Sequence, residues 1–177
     1  MASRRGLWFL PLVLLIVLVL VPAAVSARVP APKAQATLIS TSGKVVGVAS
    51  FTQRSNGSVV VSIRAHGLQP GTHGLHVHTT GVCAPGQNPP FGSAGGHFNP
   101  DGTLHGAHAG DLGNVWVDSQ GSVTASVVTR GFTVSPGFYS LMDRDGSAII
   151  IHAATDDLHT DPTGNSGARV ACGVIQR

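Results

Sequence analysis

Residues 45–65 read Val45-Val46-Gly47-Val48-Ala49-Ser50-Phe51-Thr52-Gln53-Arg54-Ser55-Asn56-Gly57-Ser58-Val59-Val60-Val61-Ser62-Ile63-Arg64-Ala65. Val46, Val48 and Ser50 alternate with Val45, Gly47 and Ala49, a period of two rather than of a helix. Asn56-Gly57 supplies the positive φ angles of a tight turn, so the segment predicts a β-hairpin whose second strand is Val59 to Ala65. The same grammar recurs outward. Gln69-Pro70-Gly71 is a turn before a short strand at Gly74–His78. Val115–Asp118 and Val123–Val128 flank Gln120-Gly121 as another strand–turn–strand. Phe138–Met142 and Ala148–Ile151 flank Arg144-Asp145-Gly146, and Arg169–Ile175 closes the chain. Seven or eight short strands and no helix predict an all-β antiparallel sandwich or barrel.

Composition agrees. The 177 residues include no Glu, two Lys (Lys33 and Lys44) and 23 Gly, a set suited to strands and tight turns. Arg4 and Arg5 precede an apolar run from Leu7 to Val21, and Val25-Ser26-Ala27 offers a cleavage site, so residues 1–27 read as a secretory signal peptide. An uncleaved anchor is the alternative, because Leu7–Val25 approaches spanning length; Pro11 and Pro22 argue for cleavage. Removing 1–27 takes the net charge from +3 to +1 by the loss of two Arg. With no basic stripe or aromatic interleaving, nucleic acid is not an expected partner. Residues 28–35 read as a linker and 36–177 as the domain. Cys83 and Cys172 are an even pair in an exported chain, which reads as a disulfide. Closing that loop stabilises by roughly 4–5 kcal/mol on the chain-entropy model.

Two long aperiodic stretches, 79–112 and 153–168, hold most of the polar chemistry, as functional loops do. Nine His is a high count, and they cluster. His76 and His78 share one strand face, so both imidazoles can converge on one metal. His97, His105, His108 and Asp111 make a complete tetrahedral set for zinc. His152 ends the Ala148–Ile151 strand; pattern alone allows a plain strand-end residue or a place beside the other His. His66, His73 and His159 stand outside these groups.

Several motifs resemble the copper/zinc superoxide dismutases. Gly74-Leu75-His76-Val77-His78 is similar to that family's copper-binding strand, and Gly95-Gly96-His97-Phe98-Asn99-Pro100 to the segment with its bridging histidine. His105-Gly106-Ala107-His108-Ala109-Gly110-Asp111-Leu112-Gly113-Asn114 resembles its zinc loop. Ile151-His152, followed by Asp156-Asp157-Leu158, resembles its last copper ligand and neighbours, and Gly164-Asn165 with Gly167–Ile175 resembles its C-terminal signature. The resemblance runs from about Ala36 to Ile175. It implies a Greek-key β-sandwich, copper held by His76, His78, His97 and His152, and zinc held by His97, His105, His108 and Asp111. Asp156 would tie a copper-ligand His to a zinc-ligand His. Arg169 would sit at the channel mouth and attract superoxide, and His97 would carry a proton. Cys83–Cys172 would anchor the first loop to the last strand. The implied product of dismutation is hydrogen peroxide with oxygen; a non-catalytic copper-binding or copper-delivery protein on the same fold is the alternative. The implied location is secreted, periplasmic or extracellular, with no stable membrane partner once the signal is removed. Both a monomer and a homodimer are compatible with the family. The zinc loop is compact, and the second loop lacks Glu and Lys, which shifts expected steering onto Arg169.

Overall fold

A computed structural model describes residues 30–177. The expected signal peptide lies outside the described residues. Eight strands follow in order: β1 Lys33–Ser40, β2 Val45–Gln53, β3 Val59–Ala65, β4 Gly71–His78, β5 Asp111–Val117, β6 Val123–Thr129, β7 Ala148–His152 and β8 Arg169–Val174. Every ladder is antiparallel. The spatial order is β5-β4-β7-β8-β1-β2-β3-β6, a nearly closed barrel flattened into a sandwich. The first strand begins at Lys33, three residues before the expected domain start. A single 3-10 turn, Gly92–Ala94, is the one helical piece among the described residues. No described helix is long and apolar enough to cross a membrane.

The hairpin of β2 and β3 forms, but only Gly57 takes a positive φ, 84°, and Asn56 does not; Gly57 N–H donates to Arg54 O and Arg54 N–H to Ser58 O, so the turn is a longer one than the expected two-residue turn. The strict alternation through Val45–Ser50 does not survive. A register shift between Leu38 and Ile39 bulges the pairing, so Val46, Ala49 and Phe51 face inward and Val48 faces out. Gly47 sits at that bulge because an added Cβ would meet Arg64 O at 2.3 Å.

Two further expectations are corrected. β5 and β6 are not a hairpin: β5 pairs with β4 and β6 with β3, and the turn between them carries the chain across the sandwich. Phe138–Met142 is not a strand; it makes only an isolated bridge, Thr133 to Ser140. Pro136-Gly137 precedes it, Phe138 is 73% exposed, and only Ser140 and Leu141 are buried, so nothing rewards extended pairing there.

One core fills the sandwich. Ala49, Phe51, Val61 and Ile63 from β2 and β3 meet Leu75, Val77, Ile149 and Ile151 from β4 and β7. A smaller cluster of Phe91, Ala94, Ala148, Ile150 and Cys172 packs on the other side of β7. The Cys83–Cys172 disulfide joins the first long loop to β8 beside it.

Candidate metal centre

Alternation along β4 builds the centre. Leu75 and Val77 point into the core, so His76 and His78 must point out of the sheet. Both are nevertheless fully buried, because the long loops close over them. The first loop returns to β4 at residues 97–98: His78 bridges to His97, and Phe98 N–H donates to Val77 O at 2.8 Å. Val77 N–H in turn donates to Gly110 O, which fixes the segment bearing His105, His108 and Asp111. His152 arrives on β7, the neighbour of β4.

The structure brings all seven predicted ligand residues together. One nitrogen each from His76, His78, His97 and His152 lies within 4.8 Å of the others, and so do single atoms of His97, His105, His108 and Asp111. His97 belongs to both groups. Its Nδ1 is 2.8 Å from Asp111 Oδ1, which is also 3.3 Å from His108 Nδ1. Asp156 lies behind both groups, accepting from His76 Nε2 at 2.7 Å and from His105 Nε2 at 2.8 Å. His78 Nδ1 donates to Gly95 O and His152 Nδ1 to Gly167 O. His76, His78, His105 and His152 are thereby each fixed through one nitrogen, which leaves the other for a metal.

Three buried nitrogens carry the test of whether metals fit. His76 Nδ1, His97 Nε2 and His105 Nδ1 have no hydrogen-bond partner. Buried polar atoms need partners. The opposite nitrogens of these rings are engaged by Asp156 or Asp111, so the orphans face into the two groups. Four imidazole nitrogens suit copper, and three imidazoles with a carboxylate suit zinc.

The electrostatics prepare the same donors. Burial, helped by His97, lowers the His76 pKa to about 4. Burial, with His76 beside it, lowers His152 to about 3, and burial carries His78 well below the usual histidine value. These rings are neutral at pH 7, with a lone pair to offer. Burial opposes ionisation of Asp111, yet the His97 hydrogen bond and the charges of His108 and His105 outweigh it and hold the carboxyl at about 2. Burial likewise opposes ionisation of Asp156, and the bonds from His76, His105 and Leu158 N–H overcome it.

Arg169 is held at the rim. It donates through Nη1 to Phe91 O at 2.6 Å and through Nη2 to Gly95 O, the carbonyl that also receives His78. It lines one pocket with His97, His108, Pro162 and Thr163. Phe91 is buried against Cys172, so the disulfide region positions the carbonyl that positions the guanidinium. His73 is buried with Nδ1 on His152 O and Nε2 on Gln69 O, both at 2.8 Å. His66 and His159 are exposed.

Residue-by-residue reading missed the supports of Asp156. Asn114 Nδ2 donates to Asp156 O at 2.9 Å, and Asp156 N–H donates to Asn114 Oδ1 at 2.8 Å. Asp161 Oδ1 accepts from His105 N–H. Gly164, at φ 60°, leaves room for the Asp156 carboxylate where it stands: an added Cβ would lie 1.8 Å from its Oδ1.

The comparisons with known proteins agree with this geometry. The family described as copper/zinc superoxide dismutase matches residues 45–175. Superoxide dismutase [Cu-Zn] 2 of Aquifex aeolicus is 41% identical over 152 residues, which cover 81% of this chain and 86% of that protein. A SOD-like protein from Bacillus subtilis has 36% identity and a TM-score of 0.73, covering 78% of this chain and 95% of that one. The copper/zinc superoxide dismutase of Brucella abortus has 28% identity and a TM-score of 0.68, covering 81% and 99%.

Proposed function

The chain belongs to the copper/zinc superoxide dismutase family, and from that premise we propose that it is an exported enzyme that dismutates superoxide with its own two-metal centre. His76, His78, His97 and His152 would hold copper, and His97, His105, His108 and Asp111 would hold zinc. The single observation that carries the reading is the set of orphaned buried nitrogens, His76 Nδ1, His97 Nε2 and His105 Nδ1, aimed into two groups that share His97.

Bound copper would supply a one-electron couple and zinc a fixed charge, so that two superoxide ions and two protons become oxygen and hydrogen peroxide. The chain's residues do the rest. Asp156 holds His76 and His105 in one tautomer each, with the metal-facing Nδ1 unprotonated. His97, whose Nδ1 lies beside Asp111 in the zinc group, would use its other ring nitrogen, Nε2, to take up and hand on a proton. Arg169 presents a guanidinium at the rim and raises the local concentration of a small anion. Residues 1–27 would direct export and be removed; residues 28–177 would then act in the periplasm or extracellular space.

The test is superoxide disappearance with the chain from residue 28 onward, loaded with copper and zinc, beside His152→Ala. Fast copper-dependent activity that the variant loses is the expected result. Stoichiometric copper binding without activity would overturn it and leave a copper-binding protein on the same fold.

A further inference from the structure

Every acidic residue of the chain lies between Asp101 and Asp161. Strands β1, β2 and β3 therefore carry no carboxylate, and β6, Val-Thr-Ala-Ser-Val-Val-Thr, has none either. These four strands are neighbours and form one outer face of the sandwich. Their register sets out three rows on that face: Lys33, Thr52, Val60 and Val128; Gln35, Ser50, Ser62 and Ser126; Thr37, Val48, Arg64 and Thr124. Lys33 and Arg64 are exposed within the rows. Arg54 and Arg130 are exposed at the Asn56-Gly57 end, where Arg130 Nη1 donates to Asn56 O at 2.8 Å. Lys44 is exposed in the hairpin at the other end. Among the described residues, no Lys or Arg lies within ion-pair distance of a carboxylate; the carboxylate pairs are all with His. The acid nearest in sequence to β6, Asp118, is engaged in its own turn by Gln120 and Ser122 N–H.

A shallow groove crosses this face; its outward-facing lining residues are Val48, Ser50, Ser62, Arg64, Thr124 and Ser126, with Ile63 and Ala125 between them. Four of the eight lining residues bear hydroxyls, and Ser62 Oγ lies 3.3 Å from Ser126 Oγ. Lys33 and Arg64 are two strands and four residues apart in register, a span of about 17 Å. One small anion cannot meet both. A chain of regularly spaced anions can, and guanidinium groups suit sulfate and carboxylate oxygens. The hydroxyl rows suit the hydroxyls of a sugar backbone.

We propose that the β1-β2-β3-β6 face docks an extended anionic polysaccharide. Its geometry also leaves the metal centre free. Residues alternating with the outer rows, Ala49, Phe51, Val61 and Ile63, fill the core against Leu75 and Val77, whose own alternates His76 and His78 point out of the opposite face. A protein lying on such a polymer would turn its metal-binding loops to the solvent. Sequence reading finds no basic stripe because the cations are spread from 33 to 130; the absence of acids, not a run of bases, marks the face.

The test uses the metal-loaded protein and a sulfated heparin dodecasaccharide, with its desulfated form and anionic phospholipid vesicles as comparisons. Binding should be to the sulfated oligosaccharide and should weaken steeply with salt. The variant K33S/R54S/R64S/R130S should bind at least about tenfold more weakly, and the slope of log affinity on log salt should fall by about one for each contacting cation removed. Its rate of superoxide disappearance should be unchanged, and Arg144→Ser, at the Arg144-Asp145-Gly146 turn, should bind as the parent does. If the fourfold variant does not fold, Arg64→Ser alone decides, with a severalfold loss expected. No binding by the parent, binding by the fourfold variant (or by Arg64→Ser where it stands in) equal to the parent's, or binding to vesicles with none to the oligosaccharide would overturn the proposal.

Discussion

Gly164→Ala should weaken zinc binding out of proportion to its effect on the fold. At φ 60° any L residue costs roughly 1–2 kcal/mol relative to Gly. Beyond that, the new Cβ would stand 1.8 Å from Asp156 Oδ1 and 2.4 Å from His105 Nε2. Moving the carboxylate from 1.8 Å to an ordinary contact of 3.4 Å requires about 1.6 Å. Asp156 holds His76 and His105 at 2.7 and 2.8 Å, so a shift of that size breaks at least one of the two bonds. A charge-assisted hydrogen bond of this kind contributes about 1.5–3 kcal/mol. Loss of the carboxylate that orients a metal-ligating His typically costs 10–100-fold in metal affinity. Gly102→Ala is the control: its φ is 65°, and an added Cβ meets nothing within 4 Å, so it carries the backbone cost alone. Zinc affinity is read by competition with a chromophoric chelator, and metal-free stability by urea unfolding. Gly164→Ala should lose about 10–100-fold in zinc affinity, Gly102→Ala almost none, and both should unfold at lower urea. Equal zinc affinities in the two variants would refute the view that Gly164 shapes the Asp156 bridge.

Arg169→Ala should lower the rate of superoxide consumption about tenfold and flatten its decline with ionic strength, since the second loop supplies Asp156, Asp157 and Asp161 but no Lys or Arg; rates across a salt series check this, and an unchanged slope would count against the role. Replacing both Cys83 and Cys172 by Ser should destabilise the metal-free protein by roughly 2–5 kcal/mol in urea unfolding and loosen the Phe91 and Gly95 carbonyls that hold Arg169, so the salt slope should shrink as well. Metal-free protein should also lose stability in acid. His76 at about 4 and His152 at about 3 lie below their ordinary value of 6.5, so between 6.5 and about 3 the unfolded chain binds more protons than the fold does. Urea midpoints should therefore hold level above pH 7 and fall as pH drops through that window; a flat profile from pH 7 to 4 would contradict the burial of these rings as neutral groups.

The all-β class, the β2–β3 hairpin and the two functional loops were legible because each is a local signal. Alternation gives strands, Asn56-Gly57 gives the turn, and long aperiodic His-rich segments give loops. The candidate ligand residues were legible through family motifs, whose spacing in the chain reflects β4 alternation and the short His105–Asp111 segment. What stayed hidden is non-local. Val115–Asp118 and Val123–Val128 look like a hairpin, and only the pairing of β5 with β4 and of β6 with β3 shows that their turn crosses the sandwich. Asn114 clamps Asp156 across 42 residues, and no periodicity announces such a contact. The Gly95 and Gly167 carbonyls are invisible to residue type, since every residue has one.

The same alternation that makes the fold also divides the molecule's chemistry between two faces. In β4 one parity, Leu75 and Val77, holds the core, and the other, His76 and His78, is released from packing and available to ligate. In β2 and β3 one parity again serves the core, and the other is released as Ser50, Ser62 and Arg64. Because the core is shared, the two released sets point in opposite directions. The His face then needs loops to bury it, and burial keeps its rings neutral. Those loops bring five of the eight acids, Asp101, Asp111, Asp156, Asp157 and Asp161, among them the two at the candidate metal centre, Asp111 and Asp156; the other three, Asp118, Asp143 and Asp145, lie in connections outside β1, β2, β3 and β6. The opposite face needs no covering, keeps its hydroxyls and cations in water, and carries no acid that would cancel them. Charge segregation thus follows from the confinement of every acid to connections and to the β5 end that carries Asp111, and a substitution placing Asp at Ser62 or Thr124 would erase it without touching the core or the candidate metal ligands.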